Sequence, residues 1–158
     1  MKTNDVNKIL IVSLCNDFSK EVGNVLSQTL GMMFCDIDDL FEYELIDKDK
    51  IQQISSKEYM RERERKVMRH FASFENVVGV VGFEEFVNNT NVLQQRTLVV
   101  FVNLPKSYVE ERGKTIDVIA YQDRNREIEA KVDAVVSVRK VDTKFVCEKI
   151  LDVLRKTL

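Results

Sequence analysis

Glycine and proline are scarce in this chain, with five glycines and one proline in 158 residues. That composition leaves no room for a flexible linker or a low-complexity segment. No internal repeat is visible, so residues 1–158 read as a single domain of ordinary size. Tryptophan is absent and histidine occurs once, at His70. The three cysteines, Cys15, Cys35 and Cys147, are an odd number at wide spacings, which fits neither a disulfide framework nor a zinc site. They read as reduced, mostly buried thiols of a cytoplasmic protein. No apolar run approaches the roughly 20 residues of a membrane span. The polar start MKTNDVNK does not have the form of a secretory leader. Positive charge is not in excess either: 24 Lys and Arg face 26 Asp and Glu, a net charge of −2. General attraction to nucleic acid or to an anionic membrane is therefore not expected.

What is present is a regular alternation of two patterns. Hydrophobic residues make up 44% of the chain, enough for a substantial core. Ile9 to Val12, Met32 to Cys35, Val77 to Val81, Thr97 to Val102 and Ala134 to Val138 are continuous apolar runs, the mark of strands buried on both faces. Amphipathic stretches lie between them. Lys20 to Leu30 carries Val22, Val25, Leu26 and Leu30 at helical spacing, with Ser19 placed to cap it and Gly31 to stop it. Asp36 or Asp38 caps the next helix. Ile51 to Ile54 forms a short turn. The charged helix of SKEYMRERERKVMRHFASF packs through Tyr59, Met60, Val67, Met68 and Phe71. Phe83 to Gln95 reads as two helical pieces broken near Asn88 to Asn91. Pro105 opens another helix in its first turn, Ile116 to Val132 is largely helical, and Asp142 caps a last helix with Phe145, Val146, Ile150, Leu151 and Leu154. Five strands alternating with helices specify a three-layer α/β/α domain with a parallel sheet and right-handed crossovers. Ligands in such sheets bind at the carboxyl ends of the strands. The candidate site is therefore Ser13 to Lys20, Asp36 to Asp39 and Gly82 to Glu84.

The first strand, polar loop, helix and second strand form a βαβ unit, whose loop is the usual place to hold a phosphate. This loop, Ser13 to Ser19, has no glycine. Glycines in a phosphate loop permit unusual backbone angles and close approach to the anion; Phe18 and Asp17 bring bulk and negative charge instead.

The order of features resembles the shikimate kinases, small P-loop kinases. Glu21 to Gly31, EVGNVLSQTLG, is similar to the family's V-G-x-x-L-A-x-x-L-G. Phe34 to Glu42, FCDIDDLFE, is similar to F-x-D-x-D-x-x-I-E, and Met60 to Glu64 to F-R-x-x-E. Val81-Gly82-Phe83 stands at the glycine-rich turn after the third strand, and Arg124 to Asp133 at the family's R-x-P-L-Y-x-x-x-A-D segment. The resemblance covers nearly the whole chain and implies the strand order 2-3-1-4-5. It is shared more loosely by gluconate kinases and adenylate kinases. It further implies that Asp38, Arg61, Gly82 and Arg124 bind an acidic acceptor such as shikimate. By the same resemblance Asp36 stands near a magnesium ion.

On the nucleotide side the register puts Ser13, Asn16 and Phe18 at the loop glycines, Ser19 at the phosphate lysine and Lys20 at the magnesium-binding hydroxyl. Arg112 stands at a nucleotide-side arginine. A shift of one residue restores Lys20 as the lysine but restores no glycine. The segment that serves the family as a lid, here Gly113 to Gln122, is short. The expectation is a shikimate-kinase-like protein with a degenerate phosphate loop, a pseudoenzyme with no nucleotide or metal cofactor, which binds a small acid or a protein partner. Two alternatives stand beside it. One is a working, divergent shikimate kinase of aromatic amino-acid biosynthesis, for which ATP and Mg²⁺ would be needed. The other is a structural or regulatory subunit without a ligand. The same residues also have plainer readings: Asp36 and Asp38 as helix caps, Arg61 and Arg124 as solvated helix arginines, Lys20 as a first-turn lysine. A sharper expectation is that Lys20 pairs with Asp36, its ammonium standing where a divalent cation would.

Overall fold

The computed structural model of the chain describes residues 6–43, 57–111 and 118–157. Arg112, the turn Ile51 to Ile54 and the Gly113 end of the short lid segment lie outside the described residues. Among them the order is β1 (Lys8–Val12), α1 (Asn16–Leu30), β2 (Met33–Asp36), α2 (Ile37–Tyr43), α3 (Lys57–Ala72), β3 (Val77–Val81), α4 (Phe83–Asn88), α5 (Thr90–Leu93), β4 (Thr97–Asn103), α6 (Lys106–Glu111), α7 (Val118–Glu129), β5 (Ala134–Ser137) and α8 (Thr143–Thr157). The five strands form one parallel sheet in the order β2-β3-β1-β4-β5.

β1 is central, and all five of its residues are buried. Its register aligns Val12 with Val81 on one side and with Phe101 on the other, so the chain leaves three adjacent strands at one level. Even Lys8, at its start, is buried. The Lys8 ammonium donates to the Ala72 carbonyl and to Asn7 Oδ1, both at 3.1 Å. A cation at the end of α3 complements the helix dipole, while burial pulls the Lys8 pKa below its ordinary value.

The core is aliphatic and aromatic, with Phe71, Phe86, Phe101, Leu26, Ile37 and Met68 among its largest fully buried side chains. α1 packs on β3 and on α8. That settles which residues of its stripe are inside: Val22 and Leu26 are buried, whereas Val25 lies on the free flank and is exposed. Gly31 ends α1 in the left-handed region, φ 67°, and the Met32 N–H reaches back to the Ser27 carbonyl at 2.9 Å, the closure that glycine permits there.

Several boundaries differ from the sequence reading. α1 begins at Asn16 rather than Lys20, so the polar loop shrinks to Ser13–Cys15 and Ser19 is inside the helix. Pro105 immediately precedes α6 instead of sitting in its first turn. Tyr59 is exposed at the outer end of α3, with Arg63 5.7 Å from its ring centroid. Phe145 is exposed on α8. The two outer strands are not fully covered: Met33 and Val135 are exposed. A continuous apolar run predicts cover on both faces, but a strand at the sheet margin has neighbours on one side only.

Gly79, in the middle of β3, tests this packing. A Cβ there would run into the buried Phe71 ring and lie 3.3 Å from Leu10 Cδ1. Overpacking of this kind costs about 1–3 kcal/mol. Gly79→Ala should lower the denaturant midpoint accordingly; an unchanged midpoint would mean that the Phe71 ring can swing aside.

Candidate functional site

The carboxyl edge of the sheet is organised by the turn from β1 into α1. Ser13, leaving β1, gives its one hydroxyl proton to the Cys15 carbonyl at 2.7 Å. It accepts the Cys15 N–H at 3.1 Å and stands 2.6 Å from Ser19 Oγ. With the Ser13 proton committed, Ser19 is the donor of that contact. Both hydroxyls are buried. The Cys15 carbonyl also takes the Ser19 N–H at 3.2 Å, which starts the helix. Leu14, Cys15 and Phe18 are buried in the hydrophobic core. Phe18 meets Tyr108 of α6 edge to face, centroids 6.0 Å apart at 72°. The first turn of α1 is thus pinned to α6 beyond β4.

About half a turn further, Lys20 faces the opposite way. Its ammonium lies 3.1 Å from Asp36 Oδ2, at the carboxyl end of β2. The pairing expected from the sequence is present. Asp36 is buried, 8% exposed, and its other oxygen, Oδ1, accepts the Asp38 N–H at 3.1 Å. Of the two possible caps, Asp36 is therefore the one that caps α2. The hydrogen bond to Asp36 is the main cause that raises the Lys20 pKa above its ordinary 10.5. Burial opposes the shift, and the charges of Asp36, Asp38 and Asp17 add to it.

Gly82 follows β3 and begins α4, its carbonyl accepting the Phe86 N–H at 3.0 Å. The space a Cβ would need there is filled by the Glu85 carboxylate, with Asn16 Nδ2 3.4 Å from that point. Asn16, Gly82 and Glu85 therefore converge. The candidate stretch ended at Glu84, yet Glu84 is exposed and Glu85, one residue beyond it, is the one that folds back. The signal was available: Glu85 is the third residue of α4, where a carboxylate characteristically turns toward the cap.

Arg61 belongs to a different feature. It is exposed on α3 and lines a cavity of about 180 Å³ with Glu64, Arg65, Asn88 and Asn89. Asn89 is buried and donates to Glu64 Oε1 at 2.7 Å and to the Glu85 carbonyl at 2.8 Å, tying that cavity to α4. Arg124 falls in α7, but its side chain lies outside the described residues, as does all of Arg112. His70 is in the last turn of α3, the end that meets Lys8, and so stands at the amino edge away from the site. Burial first, then Asp36 and Asp39, pushes the Cys35 thiol up to about 12, which leaves it protonated and unreactive. Among the described residues no group of three His, Cys, Asp or Glu side chains is placed to hold a metal, and no helix is long and apolar enough to cross a membrane.

A parallel sheet in this order, with a helix rising directly from the central strand, defines a P-loop kinase fold. The shikimate kinase family model matches residues 20–154, and the chain belongs to that family. Similar solved structures include shikimate kinase from Aquifex aeolicus vf5 at 23% identity, TM-score 0.77, covering 94% of this chain and 96% of that one. Shikimate kinase from Acinetobacter baumannii in complex with shikimate follows at 18% identity and TM-score 0.71, with 96% and 94% covered. A gluconokinase from Sinorhizobium meliloti 1021 is similar at 15% identity and TM-score 0.65, with 95% and 92% covered. At these identities the likeness is one of fold. No curated protein matches the chain.

The Lys20–Asp36 pair yields two measurable outcomes. Lys20→Met leaves a buried carboxylate short of a partner, which costs about 1–3 kcal/mol, more than a surface ion pair is worth. A loss below about 0.5 kcal/mol, in the range of ordinary surface substitutions, would instead place Asp36 in contact with water. The raised Lys20 pKa contributes stability below pH 10.5 that is lost as pH rises through the folded-state value. In Asp36→Asn, NMR titration of the Lys20 side chain should give a pKa closer to 10.5, and the variant should lose less stability in that alkaline range.

Proposed function

We propose that this member of the shikimate kinase family does not carry out ATP-dependent phosphoryl transfer and acts by binding. The observation that carries the reading is the turn Ser13–Cys15. Three residues, none of them glycine, join β1 to α1. Leu14 and Cys15 of the turn, and Phe18 in the first turn of α1, are buried in the core. Ser13 and Ser19, at a glycine and at the lysine position by the resemblance, spend their hydroxyls on each other. Phosphoryl transfer rests almost wholly on positioning and charge stabilisation by such a loop, its lysine and a metal. The residues present do not fit ATP·Mg²⁺: the Asp36 carboxylate is engaged by an ammonium, and the Ser13 hydroxyl proton goes to the Cys15 carbonyl. The Lys20 ammonium supplies permanently the positive charge that a divalent cation would bring. The family match, moreover, begins at Lys20, just past this turn.

On the acceptor side the resemblance assigns Asp38, Arg61 and Arg124 to a small acid such as shikimate, a planar guanidinium being suited to a carboxylate; Arg61 serves there only by leaving the cavity it lines with Glu64 and Asn89. Glu85 over Gly82 opposes an anion at that point, so binding there requires Glu85 to move. A cytoplasmic binding or regulatory role follows, with a small acid or a protein as partner.

Calorimetry on the full chain separates the readings. ATP·Mg²⁺ should give no heat of binding, and ADP release in the presence of shikimate should stay at background. Saturable ATP binding, or turnover with shikimate, would establish the working-kinase alternative instead. Shikimate binding without ATP supports a retained acceptor site, and Glu85→Ala should strengthen it. Silence to both ligands points to a regulatory subunit.

A further inference from the structure

The outer strand β5 carries a surface of another character. β5 pairs with β4 on one side, and among the described residues no strand pairs its other side. Two cavities open between this strand and the outer flank of α8. One, of about 520 Å³, is lined by Ser137, Arg139, Lys140, Asp142, Phe145 and Lys149. The other, of about 200 Å³, shares Ser137 and Lys149 and adds Val135, Val136, Asp152, Val153 and Lys156. The shared residues make them one groove along the strand.

Its chemistry is mixed in a specific way. Arg139, Lys140, Lys149 and Lys156 line it against two carboxylates, on a chain whose net charge is −2. Both carboxylates are engaged locally. Asp142 Oδ1 accepts the Lys144 N–H at 3.1 Å as the cap of α8. Asp152 lies 3.6 Å from Arg155. The field in the groove is therefore positive. Between the cations lie Val135, 40% exposed, and Phe145, 39% exposed, and Lys149 is held 5.4 Å from the Phe145 ring centroid.

We propose that this groove docks an extended acidic segment of a partner protein. The segment adds a strand to the open edge of β5, where main-chain hydrogen bonds supply affinity. Successive side chains of a strand point to opposite faces. On the one face that meets the groove, carboxylates meet Lys149, Lys156, Arg139 and Lys140, and apolar residues two positions along settle on Val135 and Phe145. Charge complementarity selects the occupant. A second copy of this chain would set one cationic groove against another, which like-charge repulsion disfavours. A nucleic acid would satisfy the cations but leave the apolar floor unmatched, and the chain as a whole is anionic. Lysines beside an outer strand also discourage self-association, which suits a groove reserved for a different, acidic chain. The proposal stands apart from the reading of the nucleotide side.

The probe is a short fluorescein-labelled peptide of repeating pattern Glu-Ser-Val-Ser, which sets glutamate and valine on the same strand face, titrated with the full chain by fluorescence anisotropy. Saturable binding is expected, with amide shifts in NMR concentrated at residues 134–138. Lys149→Glu and Lys140→Glu, each checked for native circular dichroism, should weaken binding about tenfold or more. Replacing the valines of the peptide with serine should weaken it comparably, and a lysine–valine peptide should not bind. The proposal is overturned if the acidic peptide fails to saturate or if both charge variants bind unchanged. It also falls if the serine peptide or a single-stranded oligonucleotide binds as well, or if sedimentation shows the chain pairing with itself through this groove.

Discussion

One hydroxyl contact sets the character of the carboxyl edge. Because Ser13 and Ser19 bond to each other, β1 passes into α1 through only three residues, and the helix begins at Asn16. Everything nearby follows from that early start. Phe18 is carried into the core and against Tyr108. Lys20, about half a helical turn on, is aimed at Asp36 instead of outward. Asn16 is delivered to the space above Gly82. A wider loop would need residues able to take left-handed angles without strain, and Ser13–Cys15 has none. The helix is the conformation these residues adopt at least cost.

The second fixed point is Asp36. A buried carboxylate must be matched by donors, and here the Lys20 ammonium and the Asp38 N–H provide them. The first ties α1 to β2; the second starts α2. The same carboxylate thus serves as anchor and as cap, and its negative charge is met from within the protein. The outer groove at β5 has the opposite balance: its carboxylates are engaged and its cations are left over, so it is the surface that calls for an external partner.

Much of this was legible before the fold was seen. The continuous apolar runs gave all five strands to within a residue or so, because they show no polar alternation, although only β1, β3 and β4 are buried throughout most of their length. Gly31 and Asp142 marked helix ends through local chemistry alone. The Lys20–Asp36 pair was anticipated from the resemblance, which sets Lys20 at the magnesium-binding hydroxyl and Asp36 near the magnesium ion. Three features were not legible. The start of α1 was placed at Lys20 because polar residues after a strand read as loop, whereas burial of Phe18 drew them into the helix. Val25 and Phe145 kept helical spacing but fell on uncovered flanks. Glu85 was missed: its place as third residue of α4 pointed it toward the cap, but only the fold showed that it fills the space over Gly82.

The sequence by itself determined the element order, the parallel sheet and the family scaffold from Glu21 to Glu42. These depend on periodicity and on local stop and start signals, which each residue carries wherever it lies. Only the tertiary structure decided how the carboxyl edge is filled. Whether Ser13 bonds to Ser19, whether Glu85 covers Gly82, and whether β5 is left open depend on which side chains compete for the same few ångströms. That competition exists only once β1, β3 and β4 stand side by side.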